Sequence, residues 1–207
     1  MPKDIDILLP RVMTSAPACP ELTAVRFLRE AAIDFCRRTR IWKETDSFTV
    51  ASPDSETVCA IQDASIFEIR NAVLDENKLT PVTTDWLDSE YPNWQFSTDV
   101  AQSKYLTQIA PDTVSLYPRG TGKLNLSLVL EPSSTAETLP DFLVDKYGRY
   151  LADGALGRLL MVPDKEYSNP QLASVHETRF EQALPAIMVR VAKGQHGARL
   201  RTRGQYL

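Results

Sequence analysis

The 207-residue sequence has little of the chemistry from which enzyme sites are usually built. Histidine occurs twice, at His176 and His196, and neither stands in the HExxH or similar spacing that turns two imidazoles onto one metal. Cysteine occurs three times, at Cys19, Cys36 and Cys59, in no metal or redox spacing. With an odd count and no apolar export segment in "MPKDIDILLPRVM", the expectation is reduced, cytoplasmic thiols. No apolar run approaches the ~20 residues that a membrane span needs. A GxSxG nucleophile elbow is missing too. The stretch "PRGTGKLNL" lacks GxxxxGK[ST] spacing and leads into a strand, whereas a phosphate cradle needs a helix N-terminus behind it. Asp85, Asp88 and Glu90 are considered as a cation site, but without a glycine-hinged loop they read as a helix start. The expectation is a protein that is not an enzyme and has no cofactor and no metal.

What is present is an ordinary soluble composition, 43% hydrophobic and 24% charged, in a length that suits one large domain or two small ones. The charge is uneven. The formal net charge is -4, yet residues 190–207 carry five Lys/Arg and no acid, and residues 26–43 carry six against Glu30 and Asp34. A general nucleic-acid binder usually has a basic domain throughout, so an acidic body with two basic segments points to contacts with acidic surfaces at two chosen places.

The hydrophobic period changes twice along the chain. "PELTAVRFLREAAIDFCRRTRIW" places Leu22, Val25, Leu28, Ala32, Phe35 and Cys36 at helical spacing, with Pro20 and Glu21 suited to a first turn. Arg37, Arg38 and Arg40 crowd its last turns, where they complement the negative helix end and a solvated face. From about residue 44 to 131 the period is two. "SFTVA" and "TVCAIQ" read as strands around the "SPDSE" turn, and "FEIRNAVLDENKLTPVT" as two strands joined at "DENK". "TTDWLDSEYPNW" reads as a helical turn broken by Pro92, and "KYLTQIAPDTVSLYP" as a hairpin turning at Pro111-Asp112. In "KLNLSLVLEP", Leu124, Leu126, Leu128 and Leu130 share one face of a strand.

After "EPSSTAETLP" the helical period returns. "PDFLVDKYGRYLADGALGRLLM" aligns Leu143, Tyr147, Tyr150, Leu151, Gly154 and Ala155, and its small residues require a partner helix close by. Asn169 then caps a second helix with Pro170 at its first position. That helix carries Leu172, Val175, Phe180, Ala183, Leu184, Ile187 and Val191, and Pro185 should kink it. The fold class expected is α+β: a three-helix core from residues 1–43 and 132–196, an inserted antiparallel β-sheet unit over 44–131, and an extended basic arm over 197–207.

The arm, "GARLRTRGQYL", suits contact more than chemistry. In an extended chain Arg199, Arg201 and Arg203 point one way, Leu200 faces opposite, and Tyr206 with Leu207 forms an apolar tip. These six residues are the candidate binding site, for a larger assembly partner or a neighbouring subunit. A solubilising tail and a phosphate-contacting tail are the alternatives. At the level of the whole chain, the competing class is a DNA-binding regulatory or packaging-accessory protein. It requires a basic recognition helix, and the 140–192 helix pair offers mostly neutral faces.

Two pieces carry a resemblance: "PACPELTAVRFLREAAIDFCRRTRIWKE", and "LPDFLVDKYGRYLADGALGRLLMVPDKEYSNPQLASVHETRFEQAL". Together with the short strands between them, they resemble head–tail adaptor (connector) proteins of tailed bacteriophages, including the tail-tubular-protein-A type. The resemblance implies a structural virion protein at the head–tail interface, assembled from the host cytoplasm. It implies a ring, usually of twelve subunits, between the portal protein and the tail or nozzle proteins. Genomic DNA would pass through the lumen without sequence-specific contact, no membrane would be involved, and the C-terminal segment would grip the portal.

Overall fold

The computed structural model describes residues 1–51, 57–58, 61–97 and 100–194. Its elements begin with β1 (Pro2–Asp4), a 3₁₀ turn (Ile5–Leu8), α1 (Leu9–Met13) and α2 (Glu21–Thr39). There follow β2 (Lys43–Val50), β3 (Thr57–Val58), β4 (Ala64–Leu74), β5 (Asn77–Lys78), β6 (Thr80–Pro81) and α3 (Thr84–Glu90). The chain continues through β7 (Tyr105–Thr107), β8 (Thr113–Tyr117), β9 (Gly122–Pro132), β10 (Thr138–Pro140), α4 (Asp141–Leu159) and α5 (Pro170–Lys193). The class is α+β. The chain divides into two compact units, Met1–Ile41 with Pro132–Leu207, and Trp42–Glu131.

In the helical unit, α2, α4 and α5 pack on one another, and the 3₁₀ turn and α1 lie against α2 and α4. Helix α2 buries Ala24, Leu28, Ala31, Ala32, Phe35, Cys36 and Thr39, a stripe of helical period. It stops at Arg40, which adopts the left-handed conformation at φ 52° and donates its N–H to the Cys36 carbonyl at 2.8 Å. Leu22 was expected in the stripe and is instead 86% exposed. At about 100° per residue, the six positions from Leu22 to Leu28 leave it roughly 120° off the buried face.

Helix α5 starts as the sequence predicts, with Asn169 Oδ1 accepting from the Leu172 N–H at 3.0 Å and Pro170 in the first turn. Its buried residues are Ala173, His176, Phe180, Leu184 and Ile187. Val175, expected inside, is 44% exposed, because the series through Phe180 and Leu184 continues backward to His176 and Ala173. The helix is one element running through Pro185 to Lys193.

The N-terminal segment, unassigned from the sequence, is tied into this unit. β1 pairs antiparallel with β10, Pro2 opposite Pro140 and Asp4 opposite Thr138. Ile5, Leu8 and Val12 are buried behind it. Their i, i+3, i+7 spacing was the legible signal.

The β-rich unit holds two four-stranded sheets, in the orders β2-β9-β4-β5 and β3-β8-β7-β6. Strand β9 is interior to the first. Leu124, Leu126, Leu128 and Leu130 are each at most 1% exposed, as their alternation requires. The sheets are antiparallel for the most part, and two details of the expected antiparallel unit are corrected. "SFTVA" contributes to β2 and pairs with β9, whereas Thr57–Val58 pairs with β8 in the other sheet, so the two strands are not neighbours. β6 and β7 run parallel, Thr80 opposite Tyr105, because α3 and the segment after it carry the chain back to the starting end. The β4–β5 hairpin turns at Asp75, with φ 53°, and the β7–β8 hairpin turns through Asp112, with φ 58°.

Candidate docking surfaces

No cluster of three or more His, Cys, Asp or Glu able to hold a metal ion occurs among the described residues. No helix among them is long and apolar enough to cross a membrane. Several of the groups considered from the sequence have structural partners. Thr83 caps α3, its Oγ1 accepting from the Trp86 N–H at 3.2 Å, and Asp88 accepts from the Trp94 indole N–H at 2.6 Å. In "PRGTGKLNL" the Lys123 N–H donates to Asp75 Oδ1 at 2.9 Å. A Cβ on Gly122 would lie 2.4 Å from the Asp75 carboxylate, so that glycine permits the close approach. His176 is buried on the inner side of α5, and its Nδ1 lies 2.7 Å from Asp153 Oδ1 on α4. His196 and Cys59 lie outside the described residues. So do Arg199, Leu200, Arg201, Arg203, Tyr206 and Leu207.

Helix α4 is packed closely at its glycines, most firmly at Gly154. A Cβ on Gly154 would sit 2.9 Å from the Phe180 ring of α5 and 3.3 Å from Ala31 of α2. On Gly148 it would meet Leu8 at 2.7 Å, and on Gly157 it would meet the Glu177 side chain at 2.5 Å. Asp153 shares this buried surface, 6% exposed, with His176 as its partner. The apolar and small-residue pattern of this stretch does not single out Asp153. A lone acid inside an apolar helical run was the available signal.

Where the C-terminal turns of α2 and α4 meet the middle of α5 lies a charge network. Arg158 Nη2 donates to Asp34 Oδ2 at 2.7 Å, and Arg38 forms a two-pronged pair with Glu181. The pairing with Arg38 pulls the Glu181 carboxyl below its usual range, and Arg38 is pushed above its own. The α2 basic cluster therefore does more than complement its helix dipole, since Arg38 reaches across to α5. Beside the network is an open groove of about 670 Å³ lined by Gly157, Arg158, Met161, Ala173, Glu177 and Glu181. Met161 at its edge is 57% exposed.

The β-rich unit presents a different surface. Trp86, Tyr91, Tyr105, Tyr117 and Trp94 form a chain of ring contacts with centroids 4.9–6.5 Å apart. They come from α3, the segment after it, and the β7–β8 hairpin. A hydrogen bond to Tyr105 holds the Tyr91 phenol above its ordinary pKa. Trp86 and Tyr91 are 38% and 37% exposed, and nearby in sequence Phe96 is 83% exposed. Asp85, Asp88 and Glu90 of α3 are exposed as well. Half-exposed rings rimmed by carboxylates are the composition of a surface that meets a partner.

The family model described as SU10 adaptor protein matches residues 4–203. The chain belongs to the SU10 adaptor protein family. The match takes in both units and the first part of the basic strip. It supports a structural bacteriophage adaptor protein, a coarser statement than the tail-tubular-protein-A likeness read from the sequence. No curated protein matches the chain.

Proposed function

We propose that this chain is the head–tail adaptor of a tailed phage, forming a ring between the portal and the tail through which DNA passes. The observation that carries the reading is the adaptor family match over residues 4–203, which spans helical and β-rich units together. Three physical features support it. The body is acidic, and a channel wall must let DNA slide, whereas phosphate contacts from Lys and Arg would hold it. The helical unit is close-packed around α4, giving a rigid block for a repeated interface. The strip Gly197–Leu207 supplies a basic docking arm toward the portal or a neighbouring subunit, and ring multiplicity raises its avidity through effective concentration. In this reading the protein is part of the virion at the head–tail interface, and the helical unit is a three-helix core from which the arm extends. Its role in this reading is that of the tail-tubular-protein-A type of adaptor.

Electron microscopy of the purified protein, alone and mixed with its portal, tests the reading. A ring seated coaxially on the portal is the expected result. A protein monomeric in both samples would overturn it, and a monomer that instead shifts duplex DNA would favour the packaging-accessory role.

A further inference from the structure

We propose that the acid-rimmed aromatic face of α3 and the β7–β8 hairpin is the acceptor for the C-terminal strip Gly197–Leu207 of a second copy of this chain. The inference rests on the ring reading and adds to it the identity of the strip's partner.

The chemistry of the two pieces is complementary. The face offers the rings of Trp86, Tyr91 and Tyr105 with the carboxylates of Asp85 and Glu90, both from α3, which carries no base. The strip offers Arg199, Arg201 and Arg203, no acid, and a Tyr206-Leu207 tip. A guanidinium stacks on an aromatic ring while its edge pairs with a carboxylate, so alternating arginines use rings and acids together. Tyr206 and Leu207 then have exposed apolar surface to cover, including Phe96.

The groove beside α5 is a poorer acceptor. Its Glu181 is already held by both prongs of Arg38. The length of the strip allows it to span to a second copy. Thirteen residues follow Gly194, and an extended chain of that length covers about 45 Å. Donor and acceptor are distinct patches of one chain, so passing the strip from each copy to the next makes a head-to-tail interface, the kind that closes into rings.

The test uses the full chain with p-benzoylphenylalanine in place of Tyr206, mixed with a ¹⁵N-labelled copy and irradiated. The expected products join the strip of an unlabelled copy to residues 84–96 or 105–117 of a labelled one. Excess synthetic peptide of residues 197–207 should remove them, and about 0.5 M NaCl should lower their yield several-fold. The variant Asp85→Lys/Glu90→Lys changes exposed side chains only, and with an unaltered circular dichroism spectrum it should lose about tenfold in yield. Products confined to one copy, to the α4–α5 groove or to added portal overturn the proposal, as does a yield indifferent to the charge reversal. If microscopy still shows rings, only this proposal falls. If the chain is monomeric throughout, the ring reading falls with it.

Discussion

The helical unit carries seventeen Lys/Arg against thirteen Asp/Glu, and the β-rich unit six against fourteen, which together make the 23 and 27 of the chain. Their aromatic residues are disposed just as differently. In the helical unit Phe35 and Phe180 are fully buried, with the Phe35 ring 5.4 Å from Tyr147 and 6.4 Å from Phe180. In the β-rich unit Trp86, Tyr91 and Phe96 meet solvent. The difference separates two kinds of constraint. Residues of the first kind are fixed by close packing, and substituting them should cost stability. Those of the second kind are partly or largely exposed, and their substitution should change what the protein binds while leaving the fold intact.

The largest effect expected from this contrast is at Gly154. A Cβ there would lie 2.9 Å from the Phe180 ring, which has no free end to swing away. Gly154→Leu should lose about 3 kcal/mol from overpacking. Even Gly154→Ala, which favours the helix by up to ~1 kcal/mol, should come out destabilised. Thermal unfolding measures both, and an unchanged melting point for the leucine variant would show that α4 and α5 do not meet there.

The buried Asp153–His176 pair comes next. Asp153→Ala leaves the His176 ring nitrogen without an acceptor inside the helix interface, a loss of about 2 kcal/mol. Asp153→Asn keeps an oxygen for Nδ1 to donate to, so denaturant unfolding should find it closer to the parent. Equal losses in the two variants would mean that the hydrogen bond is not what holds Asp153 inside.

How far these features could be read in advance depends on their range along the chain. The α2 stripe, the alternating leucines of β9 and the Asn169 cap are local patterns, and the structure shows them where the sequence puts them. The Gly154 contact was legible because a small residue in an apolar helical run implies a close neighbour. Asp153 with His176 was not. The two are 23 residues apart, so the acid inside the apolar run of α4 is visible on its own but its partner on α5 is not. The aromatic face was hidden for the same reason, since Trp86, Tyr91, Tyr105 and Tyr117 meet only through the sheet order. Leu22 and Val175 show the opposite failure. Apolar residues flanking a true stripe look like members of it until packing fixes the helix rotation. The arm residues lie outside the described structure, and their reading stays chemical.

A smaller effect tests the charge network of the helical unit. Glu181 is depressed chiefly by its hydrogen bonds with Arg38. A carboxyl lowered in the folded state contributes stability above its unfolded pKa, near 4.5, and that contribution is lost as pH falls through the lower folded value. The pair is partly exposed, so solvent screens it and Glu181→Gln should cost only about 0.5 kcal/mol at neutral pH. Stability curves of parent and variant should converge as pH falls below 4.5 and through the lowered folded value. A gap that persists in acid would mean that the side chain acts through packing.

The smallest effect on stability is expected in the β-rich unit, and its smallness is what sharpens the contrast. Phe96 is 83% exposed, so burial of its ring contributes little to the folded state. Phe96→Ser should leave stability within about 0.5 kcal/mol of the parent by thermal unfolding. If the exposed rings serve a partner, the same substitution removes apolar area from the docking face, and association should weaken at unchanged melting temperature. Sedimentation velocity over a concentration series separates these quantities, because it reports assembly while unfolding reports the fold. A variant that loses both would place Phe96 with Phe35 and Phe180 among the residues that packing requires. One that loses neither would leave Phe96 out of the interface and confine docking to Trp86, Tyr91 and the carboxylates of α3.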